Sequence, residues 1–392
     1  MRASSKRRQP AAFGVRLRGL WEGLRVPLLV FVGVRVYVSL AVYLVAPLIP
    51  LSTRPSTWSA LPQYPLLEPW TRWDSIWYAE IALEGYRFLP EQASNIAFFP
   101  LYPLAVKLLA ALAGNVWVSG LLISNLAFLG ALIVLYKLTE LKLDAAAAGR
   151  TVLYVASFPA AFYFYSMYTE SVYLLVVVAT FYFLEKKRGW WAGTAGGLAA
   201  LTRPMGILLF LAGAAHSVAR RGLGRPWPWR GSVPLLFIPL ALAGFLVYSH
   251  LAFGEALAFL KSRVVGWEEP VSLFPVSHQQ LAATIFDGSI LRGEGSSLRI
   301  MDAAWATAFL ALTVPVFRRL GPSYGLYALG SLAMPLLVTL DGLTRYSSVV
   351  FPVFMIAASW RLPRALIVPP VLLSLGLLGL LASMFARWYF VG

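Results

Sequence analysis

The chain has no cysteine among its 392 residues, which excludes a disulfide, a thiolate metal site and a cysteine nucleophile. Charge is scarce as well. Only 13% of residues are charged and 59% are hydrophobic, whereas a soluble domain carries about 25% charged residues. Histidine is limited to His216, His250 and His278, too scattered to read as a metal cluster. There is no Asp-x-Asp pair, so metal dependence is not implied, and no Gly-rich phosphate loop, so no nucleotide site is visible. No cofactor is expected. The first apolar run, 27–49, is too long for a signal-peptide core and has no small-residue cleavage site after it. Low-complexity stretches and internal repeats are also missing, which leaves a pseudo-symmetric transporter little support.

What the chain has is apolar length. Runs of about 17–25 residues recur from Pro27 to Phe390, each able to cross a ~30 Å hydrocarbon core. The expected class is an all-α polytopic membrane protein. Spans are read near 27–49, 116–137, 148–168, 170–185, 190–203, 204–219, 232–252, 300–317, 322–340, 346–360 and 365–388, about eleven transmembrane helices. Residues 97–113 contain Pro100, Pro103 and Lys107 and are expected to lie along the interface. Arg203-Pro204 divides 190–219 into two short helices, because proline disfavours helix at the residue before it. Lys and Arg concentrate on one side of this arrangement, which places the amino terminus in the cytoplasm and the large loops 50–115 and 253–299 outside. The net charge of +16 then reports membrane orientation rather than nucleic-acid binding. Residues 1–26 form a basic cytoplasmic tail holding Lys6, Arg7 and Arg8, suited to anionic membrane lipids. Residues 27–392 form one membrane-embedded domain.

In this topology Asp74, Glu170, Arg203, Asp341 and Arg345 converge on the outer face from distant parts of the chain. Polar groups at membrane depth are costly unless they pair or line a cavity. Helical spacing from Trp73 to Tyr86 puts Asp74, Trp77, Tyr78, Ile81 and Gly85 on one face, with Glu80, Glu84 and Arg87 on the other. A carboxylate among aromatics is suited to acid–base work. The plainer reading is a helix start, since Thr71-x-x-Asp74 matches a capping box. Arginine binds phosphate through a planar fork of donors. Arg345 and Arg203 are candidates for that role, against an anchor or an ion pair of Arg345 with Asp341. Thr169 next to Glu170 is a plausible helix cap. Arg35 lies inside the first span, where a lone charge needs a partner.

The motifs together resemble the PIG-V family, polyprenyl-phosphate-mannose-dependent mannosyltransferases of the GT-C membrane class. The resemblance rests on Arg72-Trp73-Asp74, Ile81-Ala82, Gly85-Tyr86, Ala97-Phe98-Phe99-Pro100-Leu101-Tyr102-Pro103, Ser124-Asn125-Leu126-Ala127, Phe158-Pro159, Tyr168-Thr169-Glu170-Ser171, Leu201-Thr202-Arg203-Pro204, Arg345-Tyr346 and Phe351-Pro352. It implies a GT-C fold with juxtamembrane helices in the first outer loop, a mannose donor on a polyprenyl or dolichyl phosphate, and Asp74 as general base. The candidates for the donor phosphate are Arg345, Arg203 and Arg35. The candidates for substrate contact are Arg72, Trp73, Trp77, Tyr78, Tyr102, Glu170 and Tyr346. One departure is Trp77, at a position where the GPI enzymes carry histidine. The composition, rich in Ala, Leu, Gly and Arg, reads as that of a bacterial plasma-membrane protein, which leaves the glycolipid or glycan acceptor open.

The chemistry implied is direct displacement with inversion: a carboxylate takes the acceptor hydroxyl proton while an arginine stabilises the departing lipid phosphate. Two rivals stand beside it. One is a lipid or sugar-lipid transporter (a flippase), which would explain the spans and arginines but not the large outer loops. The other is the same enzyme class acting on a different polyprenyl-phosphate sugar.

Overall fold

A computed structural model of the chain describes residues 11–52, 61–221, 232–266 and 296–391. Trp267, the piece 278–286 and the basic residues at 2–8 lie outside them. Among the described residues the regular structure is helical, with no strand. Helix α1 (Ala11–Val45) reaches well back into the basic segment 1–26. The loop 50–115 carries the two expected helices, α2 (Ser75–Glu84) and α3 (Leu101–Ala113). Helix α3 buries Tyr102, Pro103 and Val106, while Leu104, Leu108 and Leu112 face away from the bundle. Helices α4 (Val116–Lys142), α5 (Ala145–Ala156), α6 (Glu170–Glu185), α7 (Gly189–Thr202) and α8 (Leu208–Arg221) follow. The chain continues with α9 (Phe237–Phe253), α10 (Ala258–Gly266), α11 (Ser296–Leu320), α12 (Pro322–Leu336), α13 (Leu343–Ser347), α14 (Phe351–Ser359) and α15 (Arg364–Ala386).

Among the described residues, five helices are long and apolar enough to cross a bilayer: Gly23–Leu48, Val116–Lys142, Val233–Phe253, Leu298–Leu320 and Arg364–Ala386. Their outward faces are leucine-rich, as at Leu28, Leu40, Leu240, Leu251, Leu372 and Leu373. The protein is a multi-pass integral membrane protein. Several expected spans are broken, however. The segment 148–168 is not one helix: α5 stops at Ala156, and after Ser157-Phe158-Pro159 the chain forms a buried 3-10 helix, Ala161–Tyr165. The segment 346–360 is divided between α13 and the nine-residue α14. Irregular backbone at membrane depth is tolerated where protein surrounds it, and Phe162, Tyr163, Phe164 and Tyr165 are all buried. The expected break at Arg203-Pro204 is present. Arg203 is extended at φ −152°, ψ 145°, between α7 and a 3-10 turn, Pro204–Ile207.

Helix α7 shows why the short helices hold. Its buried face is Ala192, Gly193, Ala195, Gly196, Gly197, Ala199 and Ala200. Small residues let helix backbones approach closely where apolar lipid offers no drive for association. At Gly193 the approach is extreme: a Cβ there would stand 2.0 Å from the Pro234 carbonyl oxygen. The same packing presents the end of α7, and so Arg203, to the start of α6.

Candidate active site

The chain approaches Asp74 through a sharp reversal. Trp73 is left-handed at φ 54°, a conformation costly for a bulky side chain. Its ring packs on Trp388 and Phe390, with centroids at 6.0 and 5.3 Å. Arg72 next to it donates to Glu68 at 2.7 Å and to the Ala386 carbonyl at 3.2 Å, and its guanidinium lies over Trp388. These contacts pin the loop to the end of α15. The Asp74 amide donates to the Tyr168 hydroxyl, which itself donates to the Arg72 carbonyl.

Asp74 immediately precedes α2, but its carboxylate makes no cap. Thr71 does not complete a capping box either, since its hydroxyl donates to the Glu68 carbonyl. The Asp74 carboxylate instead takes Nη2 of Arg345 at 2.9 Å. Arg345 Nε donates to Glu170 Oε1, and Arg203 Nη2 pairs with the same oxygen. Glu170, the first residue of α6, is fully buried. Thr169 is not a helix cap: its hydroxyl accepts from Arg203 Nε at 3.0 Å and lies 3.3 Å from the Tyr78 hydroxyl. The alternative pairing of Arg345 with Asp341 does not form. Asp341 instead receives Arg299 from α11, at 2.7 and 3.2 Å. The result is an alternating chain of charges, Asp74–Arg345–Glu170–Arg203, whose four members come from four separate stretches. The buried arginines are tolerated because each is paired with a carboxylate. Arg345 also lies between the rings of Tyr163 and Tyr168, at 4.7 and 4.8 Å.

Asp74, Arg345 and Arg203, with Glu170 buried behind them, form one wall of a cavity of about 470 Å³, lined also by Phe98, Phe99, Pro204, Phe259, Val338 and Phe390. Asp74, Tyr78, Arg203, Arg345 and Tyr346 line it directly. Burial first, and the Asp74 charge second, push the Tyr78 phenol well above its ordinary range, so it stays protonated. Trp77 stacks on Phe98 at the same wall. Tyr102 stands behind it, buried, with its hydroxyl 2.8 Å from Ser124 and donating to the Gly120 carbonyl. Arg72 and Trp73 brace the loop behind Asp74. Arg35 is remote from the cavity: its guanidinium lies over Trp70 at 4.2 Å and Tyr165 at 5.2 Å, aromatic faces that serve a lone charge in a span. Sequence reasoning missed Arg263, Asp302 and Phe390. Arg263 and Phe390 line the cavity, and Asp302 accepts the Gly342 and Thr344 amides just before Arg345. A lone acid inside an apolar run was the available signal for Asp302; Phe390, an ordinary aromatic, offered none.

Residues 42–216 match the family model described as mannosyltransferase (PIG-V). The PIG-V resemblance holds. The matched stretch runs from the end of α1 through most of α8 and contains Asp74, Glu170 and Arg203. A curated relative, GPI mannosyltransferase 2 of Cryptococcus neoformans var. neoformans serotype D, is 32% identical over 127 residues, 31% of this chain and 30% of its own. ArnT from Cupriavidus metallidurans, solved bound to undecaprenyl phosphate, superposes with a TM-score of 0.50 at 16% identity, covering 73% of this chain and 55% of that one. The apo oligosaccharyltransferase of Archaeoglobus fulgidus gives a TM-score of 0.49 at 13% identity, over 94% of this chain and 56% of that one. The match thus spans under a third of the curated relative and about half of ArnT. At that identity the likeness to ArnT is one of fold, and the fold of this PIG-V-like chain is GT-C.

Proposed function

We propose that the cavity is the active site of a glycosyltransferase. In this reading it moves mannose from a polyprenyl- or dolichyl-phosphate-mannose to a hydroxyl of a lipid-linked or glycan acceptor, with inversion, at the outer membrane face. The observation that carries the reading is the placement of Asp74, Arg203 and Arg345 on one aromatic-lined wall, with Glu170 buried behind it as the shared partner of the two arginines. The family match and the named activity of the fungal relative support the sugar. The undecaprenyl phosphate bound to ArnT supports a lipid phosphate.

The atoms balance without a cofactor. Asp74 takes the proton of the acceptor hydroxyl, the hydroxyl oxygen bonds to C1 of the sugar, and the C1–O bond to the lipid phosphate breaks. Arg345 offers the departing phosphate a forked cation. Its present partner is Asp74, so an incoming phosphate competes for Arg345 and releases the carboxylate for base work. Arg203 lines the cavity and its Nη1 has no protein partner, which leaves a donor for a polar ligand.

The test is incubation of the purified protein with radiolabelled polyprenyl-phosphate-mannose and total membrane lipids, followed by product analysis. Label is expected in a product distinct from the donor, and that product should vanish with Asp74→Asn. Label that only crosses the membrane on its original carrier would replace this reading with the transporter one.

A further inference from the structure

Arg345 is carried by α13, a five-residue helix that cannot cap itself. Its N-cap residue is Gly342, left-handed at φ 78°, with no side chain to offer the first amides. The missing acceptor comes from another part of the chain. Asp302, on α11, receives the Gly342 amide on Oδ2 at 2.9 Å and the Thr344 amide on Oδ1 at 2.7 Å. It is buried, with 5% of its surface exposed. One turn earlier on the same helix, Arg299 holds the Asp341 carboxylate with two hydrogen bonds. The outer end of α11 therefore grips the segment 341–344 from both sides, and the next residue is Arg345. A carboxylate in an apolar helix is costly. Here both of its oxygens are used on the two amides that set where Arg345 begins.

We propose that Asp302 is a positioning residue for Arg345: a cap supplied from a distant helix that holds the guanidinium between Asp74 and Glu170. It does not touch the cavity, and it acts through the backbone of α13. Asp302→Asn keeps the shape but replaces one acceptor oxygen with a donor, which faces an amide that also donates. The activity arm of the test rests on reading the cavity as a sugar-transfer site; a second arm does not.

In the second arm, amide exchange is followed by mass spectrometry. Exchange over 342–345 should quicken by about tenfold in Asp302→Asn, the order expected for loss of a charge-assisted hydrogen bond, while peptides from α4 and α6 stay unchanged. In the activity arm, kcat/KM should fall by about the same factor, and Asp302→Asn should add little to Arg345→Lys, because residues acting through one group are not additive. Unchanged exchange at 342–345, or losses that multiply in the double variant, would overturn the proposal. If Asp302→Asn does not fold, Asp302→Glu serves: it keeps the charge but moves the carboxylate by one methylene, and the same two outcomes decide. A wild-type protein without transfer activity would remove the functional reading alone, and the exchange result would still decide the role of Asp302.

Discussion

Asp74 and Glu170 are both carboxylates beside Arg345, yet their settings divide their roles. Asp74 lies on the cavity wall with 21% of its side chain exposed, while Glu170 is sealed at 0%. Only the first can meet a substrate hydroxyl. Asp74→Asn should therefore lower turnover by about 10²–10⁴-fold, the usual worth of a general base, in a protein that still folds. Glu80→Gln and Glu84→Gln are the controls on the far side of α2, where Glu80 pairs with Arg87; both should leave turnover nearly unchanged. Comparable losses in all three variants would take Asp74 out of the mechanism. Glu170→Gln should fail differently. It leaves Arg203 and Arg345 without their shared partner, and breaking such a buried pair costs about 3–5 kcal/mol. The expected result is a large drop in thermal stability in detergent, read by a scan of unfolding rather than by activity. Arg345→Lys keeps a charge but loses the fork, so activity should fall well below wild type. Full activity would reduce Arg345 to an anchor.

The working parts at the scale of elements are short helices, and their shortness has a use. A full-length span would carry its polar ends to the bilayer surfaces. The breaks at Arg203, at Gly342 and after Ala156 instead leave helix ends inside the protein, where charged side chains can meet. Close packing keeps those breaks in place. Gly193→Ala should therefore destabilise by about 1–3 kcal/mol through overpacking, because the new Cβ meets the backbone of Pro234. Gly244→Ala, on α9 with nothing within 4 Å, should be neutral or stabilise by about 0.5–1 kcal/mol. Equal melting temperatures for the two variants would show that the α7 contact is looser than its geometry implies.

For the whole molecule the question is orientation. The basic bias predicts that Lys186, Lys187 and Arg188 lie in the cytoplasm and the loop that carries Asp74 outside. Because the chain has no cysteine, a single introduced thiol is a unique label. In intact cells Gln92→Cys should react with an impermeant reagent, while Lys186→Cys should react only after permeabilisation. Both positions are exposed and outside the long helices, so access to reagent is governed by the side of the membrane. Labelling of Lys186→Cys from outside would invert the map and move the site to the cytoplasmic face.

Composition alone determined that this is a membrane protein, because apolar runs of span length have no other stable home. Local chemistry determined the break at Arg203-Pro204, since proline acts on its own neighbour. The order of motifs was enough to raise the PIG-V resemblance, and the topology put Asp74, Glu170, Arg203, Asp341 and Arg345 on one face. What the sequence could not express was pairing. That Arg345 belongs to Asp74 and Glu170 rather than to nearby Asp341, that Thr169 serves Arg203 rather than its own helix, and that Arg35 rests on Trp70 are facts about side chains far apart in sequence. Such choices turn on a few ångströms of helix packing, which periodicity does not encode. The same holds for Asp302: along the chain it is an isolated acid in an apolar helix, and only the tertiary structure brings to it the two amides that justify its burial.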